Sequence, residues 1–294
     1  AELALAAPLL ARESNLERKP VKLRAFDMMP VQGIYFPSYR QARQCADRLR
    51  EAGCEPLEAD INPAERYLME RFITGSAELA GAVDARGKNQ QVQQPALRPA
   101  RYRPPLKVVS FDIETALEGV QLYSIGLHAV GPGGEEKRRV FMVGEGATQD
   151  YVVTCQSQAE VLQAFLVWLR DYDPEVLIGW NVVNFDTWYL QRVADQLGIE
   201  LTLGREQRPV HWRELDDDGE RRAVQFPGRV VLDGIELLRT AFNRLERFTL
   251  DNVAHDLLGE GKLLHGPQRG EEITRQFVED KTPLSQYNLQ DCEL

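Results

Sequence analysis

Two carboxylic acids, Asp112 and Glu114, lie two residues apart in the apolar stretch LKVVSFDIET. In a β-strand, alternate side chains face opposite sides, so the two acids would share one face while Val109, Phe111 and Ile113 share the other. Two like charges this close repel each other, and burying either one is costly unless a partner compensates. A divalent cation, which prefers carboxylate oxygens, would be such a partner. Solvation of both acids at a sheet edge is the alternative, and this stretch alone does not decide between them.

Two further segments carry acids that could join the first pair. Asp186 ends the segment NVVNFD, which follows the apolar run VLIGW and precedes a predicted helix. Near residue 294, Tyr287 and Asp291 are four residues apart, a spacing that places them on one face of a helix. Considered alone, Asp186 could have the simpler role of complementing a helix dipole. Tyr287 and Asp291 alone could be an exposed pair on a helix surface. The three segments together predict one acidic site.

The elements that must position these residues alternate between strands and helices. Apolar runs and turn signals predict strands at 106–115, 122–130, 139–143, 176–180 and 229–232. Helical periodicity and capping residues predict helices at 159–172, 185–197, 235–242, 250–258 and from 283 onward. Residues 210–226 predict a β-hairpin around the DDDG sequence at 216–219. Strand and helix in alternation are typical of an α/β layer fold.

The chain divides by composition into three parts. Residues 1–86 predict a small α+β domain, and residues 106–294 predict the α/β domain that carries the acids. Between them, residues 87–105 are rich in Gln, Pro and Arg, which predicts a linker. The first residue is not Met, and the helix with Asp291 has no stop signal before residue 294. We therefore expect a truncation at the start of the first domain and at the C-terminal helix of the second.

Composition narrows the class of protein. A hydrophobic fraction of 43% supports a packed core, and the sequence has no apolar run of about 18 residues that would predict a membrane span. Its four cysteines are scattered, which argues against a zinc site and favours a cytoplasmic location. The net charge of −10 is concentrated in residues 107–294. An acidic domain is a poor general binder of nucleic acid but a good host for divalent cations.

The motifs FDIET, NVVNFD and YNLQD resemble, in sequence and order, the three exonuclease motifs of the family B DNA polymerases. The match is to the subclass with a Tyr four residues before the last Asp. Further similarity, closest to bacterial members, covers VQGIY and the segments 58–74, 102–110 and 257–262. The resemblance implies a ribonuclease H-like exonuclease domain, in which helices flank a mixed sheet. It also implies that the domain proofreads for a DNA-directed DNA polymerase by 3′–5′ hydrolysis.

The resemblance assigns catalytic roles to five residues. Asp112, Glu114, Asp186 and Asp291 would hold two divalent cations, Mg²⁺ or Mn²⁺, with Asp112 shared between them. Glu114 and Asp291 would serve the ion that carries the attacking water, and Asp186 the ion near the leaving 3′ oxygen. Tyr287 would orient the water, because a phenol with a pKa of about 10 is a poor base at neutral pH.

The resemblance also implies partners. Asn181 and Phe185 would shape the pocket for the terminal nucleotide of a single-stranded or frayed primer 3′ end, read by stacking and shape. A sliding clamp is a possible partner of the longer polymerase, and no membrane partner is expected. The polymerase motifs are absent from this sequence, so we expect it to lack nucleotide incorporation.

Two other functions fit parts of the pattern. A free-standing four-carboxylate exonuclease that acts on RNA would share the acids; in the subclass with a catalytic His, that residue would stand where Gln286 does. A non-catalytic module that binds DNA or a clamp would have lost one of the acids, and none is missing here. Comparing DNA with RNA as substrate and substituting Asp112 would separate these readings.

Overall fold

The computed structural model describes residues 2–11, 15–86, 89–216, 221–241, 245, 247–264, 266 and 268–294. The chain divides into two compact units, Ala1–Arg103 and Pro104–Leu294. Residues 217–219 of the predicted hairpin turn lie outside the described part. None of the helices in that part is long and apolar enough to cross a membrane.

The first unit combines two-stranded ribbons with short helices, which confirms its predicted α+β class. Its elements in chain order are α1 (Glu2–Leu10), β1 (Glu17–Arg24), β2 (Pro30–Tyr35), α2 (Tyr39–Glu51), α3 (Pro63–Met69), β3 (Ala77–Arg86) and β4 (Asn89–Pro99). Strand β1 pairs antiparallel with β2, and β3 pairs antiparallel with β4. A small core forms where α1 and α2 meet, around Leu10, Cys45 and Leu49.

The structure corrects the linker predicted at residues 87–105. Residues 89–99 form β4, which pairs with β3 along its length, with one irregularity between Ala80 and Ala82. Most side chains of β4 are exposed, so the strand lacks the alternating apolar pattern by which a half-buried strand is recognised. Residues 87 and 88 lie outside the described residues. The domain limits drawn from the sequence remain a prediction.

The second unit is an α/β domain, as the sequence predicts. Its strands are β5 (Val108–Thr115), β6 (Leu122–Val130), β7 (Glu136–Val143), β8 (Val152–Cys155), β9 (Val176–Gly179), β10 (His211–Glu214), β11 (Arg222–Gln225) and β12 (Val230–Asp233). Its helices are α4 (Gln158–Tyr172), α5 (Trp188–Leu197), α6 (Gly234–Thr240), α7 (Leu250–Leu258), α8 (Arg269–Glu279) and α9 (Lys281–Glu293). A π-helical turn, Val183–Thr187, leads into α5.

The central sheet is mixed and has the strand order β12-β9-β5-β6-β7-β8. Strands β12, β9 and β5 are parallel, β5, β6 and β7 are antiparallel neighbours, and β8 lies parallel to β7. Strands β10 and β11 form the predicted hairpin outside this sheet. The order places β5, the strand with the first two acids, in the interior of the sheet.

Helices cover both faces of the sheet. Val109, Phe111 and Ile113 of β5 belong to the larger core, which packs against α4 and α5 through Leu162, Phe165, Leu190 and Val193. The opposite face packs against α8 and α9 through a second core that includes Tyr123, Met142, Ile273, Leu284 and Leu289. The side-chain alternation predicted for β5 is therefore confirmed, and its acids face the layer of α9.

Candidate metal centre

Strand β5 carries Asp112 and Glu114 into the interior of the domain. In the register with β6, Asp112 lies opposite Gly126 and Glu114 lies opposite Ser124. Glu114 is 5% exposed, whereas Asp112 keeps part of its surface open to solvent. Two acids on an interior strand contradict the simpler interpretation of solvated groups at a sheet edge.

Helix α9 brings a third acid to this pair. The helix begins after Asp280, whose side chain accepts a hydrogen bond from the Thr282 amide at 3.0 Å, and it packs across β5 and β6. Asp112, Glu114 and Asp291 each offer a carboxylate oxygen, and these oxygens all lie within 4.8 Å of one another. A group of carboxylate oxygens this close suits a hard divalent cation such as Mg²⁺ or Mn²⁺.

One atom of Asp291 supports this fit independently. Its Oδ1 is buried and has no hydrogen-bond partner among the described residues. A buried acceptor without a partner costs about 1–3 kcal/mol, and more when it carries charge. A bound cation would remove that cost, so the residues present fit a divalent metal.

The electrostatics of the three acids agree with a site that needs a cation. Burial, together with the neighbouring Asp291, raises the pKa of Asp112 to about 8. Burial and then Asp112 raise the pKa of Glu114 well above its ordinary value. Burial also raises the pKa of Asp291, although Lys262 opposes that shift. Without a cation the site therefore retains protons near neutral pH, and a bound dication would reverse this.

Asp186 lies beside this group of three rather than within it. It is 1% exposed, and its Oδ1 accepts a hydrogen bond at 3.1 Å from the amide of Ile113, the residue between Asp112 and Glu114. Burial, and next the charge of Asp112, raises the pKa of Asp186 well above its ordinary value. The structure thus brings all four predicted acids to one place, with Asp186 fixed to the backbone of β5.

The turn that carries Asp186 is anchored at two points. Asn181 adopts a left-handed conformation with φ of 58°, which Asn tolerates better than most residues. Asp233, at the end of β12, accepts a hydrogen bond from the Val183 amide at 3.2 Å and another from the Ile235 amide at 3.0 Å. Asn181 therefore shapes the turn through its backbone, and Asp233 is a supporting residue that the sequence did not single out.

Phe185 sits at the exposed side of the same turn. Its side chain is 46% exposed, and its ring lies 6.1 Å from the ring of Tyr189. The Tyr189 hydroxyl accepts a hydrogen bond from the Gln121 amide at 2.9 Å, which holds that ring in place. An exposed aromatic ring next to Asp186 is available for stacking on a base.

Lys262 is a functional candidate that the sequence analysis missed. Its ammonium donates hydrogen bonds to Oδ2 of Asp291, at short range, and to the Tyr287 hydroxyl at 3.0 Å. Burial and then Asp291 raise the pKa of Tyr287 far above its usual range, so its hydroxyl stays protonated. In the sequence, Lys262 ends the segment LLGEGK at 257–262, which contains none of the four predicted metal-binding acids, so nothing there linked it to the site.

Asn288 also lies in the site and was missed. It is the neighbour of Tyr287 on α9, it is 0% exposed, and its amide donates to the carboxylate of Asp112 at 3.0 Å. In the sequence it stands inside the motif YNLQD, where nothing sets it apart from the other intervening residues.

Comparison with known proteins adds the family context. The sequence model described as "DNA polymerase family B, exonuclease domain" matches residues 54–253, and "DNA polymerase II, insertion domain" matches residues 1–54. The chain is 41% identical over 293 residues to DNA polymerase II of Escherichia coli, covering 97% of this chain and 36% of that protein. It is 27% identical to a DNA polymerase of Desulfurococcus, covering 88% of this chain and 30% of that protein.

A solved structure shows the same fold. The family B DNA polymerase from Pyrobaculum calidifontis superposes with a TM-score of 0.63 at 21% identity, covering 98% of this chain and 38% of that one. The chain thus spans about a third of the length of these relatives.

Proposed function

Because the chain belongs to the family B DNA polymerases and carries their 3′–5′ exonuclease domain, we propose that Asp112, Glu114, Asp186 and Asp291 hold two divalent cations for hydrolysis of the 3′-terminal phosphodiester of DNA. The domain has the mixed α/β, ribonuclease H-like fold of that family. One observation carries the assignment of these residues: acids from β5 and α9, far apart in sequence, place their oxygens within 4.8 Å of one another.

The bound cations would supply a water of lowered pKa and would stabilise the attacking and leaving oxygens of an in-line displacement at phosphorus. Asp112, Glu114 and Asp291 would bind one cation, and Asp112 with Asp186 would bind the other. Tyr287 keeps its proton, so it positions the attacking water by hydrogen bonding instead of removing a proton from it. The water oxygen would bond to phosphorus as the bond from phosphorus to the 3′ oxygen breaks. The terminal nucleotide would leave as a 5′-monophosphate, and the 3′ oxygen of the shortened strand would take up a proton to become a hydroxyl.

The substrate end would lie against the turn that carries Asp186. Phe185 offers an exposed ring on which the terminal base can stack, and Asn181 shapes the backbone beneath it. Stacking is tolerant of sequence, which suits an enzyme that removes any terminal nucleotide. A paired 3′ end must fray before it can enter, so mismatched primer ends would be preferred.

The relatives that match this chain are longer proteins, and each is named a DNA polymerase. We extend the proposal to such a longer polymerase, in which this domain would proofread the primer ends that a polymerase domain synthesises. A sliding clamp would be a partner of that longer protein, and a cytoplasmic location agrees with the scattered cysteines.

A nuclease assay with defined oligonucleotides tests the proposal. The purified chain is incubated with 5′-labelled single-stranded DNA or with RNA of matched sequence, in Mg²⁺, in Mn²⁺ and in EDTA. We expect metal-dependent shortening of the DNA from its 3′ end. The Asp112→Ala variant should lose this activity, whereas Asp171→Ala, which changes an exposed acid on α4, should keep it.

Three outcomes would favour the alternative functions. Faster degradation of RNA than of DNA would support an exonuclease that acts on RNA. Binding of single-stranded DNA without any metal-dependent cleavage, or an Asp112→Ala variant as active as the original, would support a non-catalytic binding module.

A further inference from the structure

A chain of hydrogen bonds runs from β6 through α9 to Asp112 on β5. The Ser124 hydroxyl on β6 donates to Oδ1 of Asn288 at 2.8 Å. The Asn288 amide nitrogen donates to the main-chain carbonyl of Asp112 at 3.2 Å and to its carboxylate Oδ2 at 3.0 Å. The amide nitrogen of Asn288 thus bonds two oxygens of Asp112, and the amide oxygen accepts from Ser124.

The orientation of this amide is fixed from two sides. On one side lies the Ser124 hydroxyl, which is 0% exposed and donates to the amide oxygen. On the other side, a flipped amide would turn its oxygen toward the carbonyl and carboxylate oxygens of Asp112 and lose both bonds there. Gly126 leaves room for the side chain, since a Cβ at that position would lie 2.9 Å from Cγ of Asn288. The close approach of α9 to β6 therefore locks the Asn288 side chain in a single arrangement.

Asn288 is a polar residue in a fully buried position of α9. Its neighbours on α9, Leu284 and Leu289, are buried in the second core. Burying an amide is costly unless its hydrogen bonds are made, and here all of them end on Asp112 and Ser124. The polar atoms of Asn288 therefore act on Asp112, and they add little to the packing of the second core.

Asp112 needs such a constraint because its neighbours repel it. One carboxylate oxygen each of Glu114 and Asp291 lies within 4.8 Å of an Asp112 oxygen, and the Asn288 amide holds Asp112 Oδ2 at 3.0 Å. Because Asn288 bonds both the main-chain carbonyl and the carboxylate of Asp112, the Asp112 side chain is held in one rotamer. Outer partners of this kind orient metal ligands and commonly affect metal affinity.

We propose that Asn288 is a positioning residue: it holds the Asp112 carboxylate in the orientation that binds a divalent cation, and Ser124 fixes the Asn288 amide. Neither residue contacts the substrate in this role. The inference rests on the proposed metal site and adds the residues that align its shared ligand.

Metal titration of the protein without DNA tests the inference. Mn²⁺ affinity is measured by calorimetry well below the unfolding temperature for the original chain, Asn288→Leu, Ser124→Ala and the double variant. We expect Asn288→Leu, which keeps the branched side-chain shape but removes the polar atoms, to weaken Mn²⁺ binding by about 10–100-fold. Ser124→Ala should weaken it less, and the double variant should match Asn288→Leu, because the two residues act through one path.

Controls separate positioning from a general loss of stability. Unfolding in EDTA is followed for each variant, and Asn252→Leu, the same substitution at an exposed position of α7, serves as the matched control. A lower unfolding temperature with unchanged Mn²⁺ affinity in the folded Asn288→Leu protein would overturn the inference while leaving the proposed function intact. If Asn288→Leu fails to fold, unchanged affinity in Ser124→Ala overturns it equally. If the original chain binds no Mn²⁺, or if Asp112→Ala binds Mn²⁺ as tightly as the original chain does, the proposed function also fails.

Discussion

Lys262 and Asp291 form a buried ion pair at the centre of the acidic site. Their side chains are 12% and 2% exposed, and the same ammonium also donates to the Tyr287 hydroxyl. The positive charge of Lys262 thus lies against Asp291, the acid that α9 contributes. In the absence of a metal, Lys262 therefore offsets part of the repulsion among the carboxylates.

Removing Lys262 should destabilise the metal-free protein. Breaking a buried ion pair leaves an uncompensated charge and costs about 3–5 kcal/mol. We expect Lys262→Met to lower the free energy of unfolding in EDTA by an amount of this order, and by less in excess Mg²⁺, since the cation supplies positive charge. Urea unfolding in both conditions measures this difference. Lys137→Met, a change on the exposed part of β7, is the control, and an equal loss with and without Mg²⁺ would refute the explanation.

The raised pKa of Asp112 predicts how stability depends on pH. Its folded-state pKa of about 8 exceeds the ordinary value of 3.8, so the folded state binds this proton more tightly than the unfolded chain does. Its contribution to stability is complete at low pH and is lost as the pH rises from about 4 to about 8. We expect the metal-free protein to lose stability over this range, and Mg²⁺ to restore part of it near pH 8.

Denaturant unfolding in EDTA at several pH values measures this slope. Asp112→Asn cannot ionise at that position, so its stability should fall less steeply with pH. The charges of Glu114 and Asp291 remain in this variant, which is why a residual slope is expected. An unchanged slope in Asp112→Asn would show that other groups cause the pH dependence.

Gly126 should not accept a side chain. A Cβ there would lie 2.9 Å from the Asn288 backbone oxygen as well as from its side chain, and the backbone of α9 cannot rotate away. We expect Gly126→Ala to cost about 1–3 kcal/mol of stability by overpacking and to reduce exonuclease activity through the displaced helix. Thermal unfolding and the nuclease assay measure both effects. Gly75→Ala, where an added Cβ meets nothing within 4 Å, should be neutral in both.

Phe185 should affect binding of the DNA end more than the chemical step. Loss of one base-stacking contact costs about 1–3 kcal/mol. We therefore expect Phe185→Ala to raise KM for single-stranded DNA, with a smaller change in kcat, and Phe185→Tyr to remain near the original because it keeps the ring. Steady-state cleavage of oligonucleotides gives both constants. A fall in kcat at constant KM would instead place Phe185 in the chemical step.

The sequence by itself determined the local parts of the site. Strand geometry alone puts Asp112 and Glu114 on one face of β5, and the spacing of four puts Tyr287 and Asp291 on one face of α9. The apolar periodicity that predicts α4 is equally local, and the helix runs from Gln158 to Tyr172. These features follow from backbone periods of a few residues, so no knowledge of the fold is required.

Only the tertiary structure decided which side chains meet. Nothing in the local sequence couples Lys262 to Asp291, Ser124 to Asn288, or Asp186 to the amide of Ile113. These contacts depend on the strand order of the sheet and on the distance between α9 and β6. Strand β4 escaped prediction for a related reason: its partner strand stabilises it through backbone hydrogen bonds, which leave no hydrophobic pattern in an exposed ribbon. Side-chain periods are written into a sequence, whereas contacts between distant segments arise only when the chain packs.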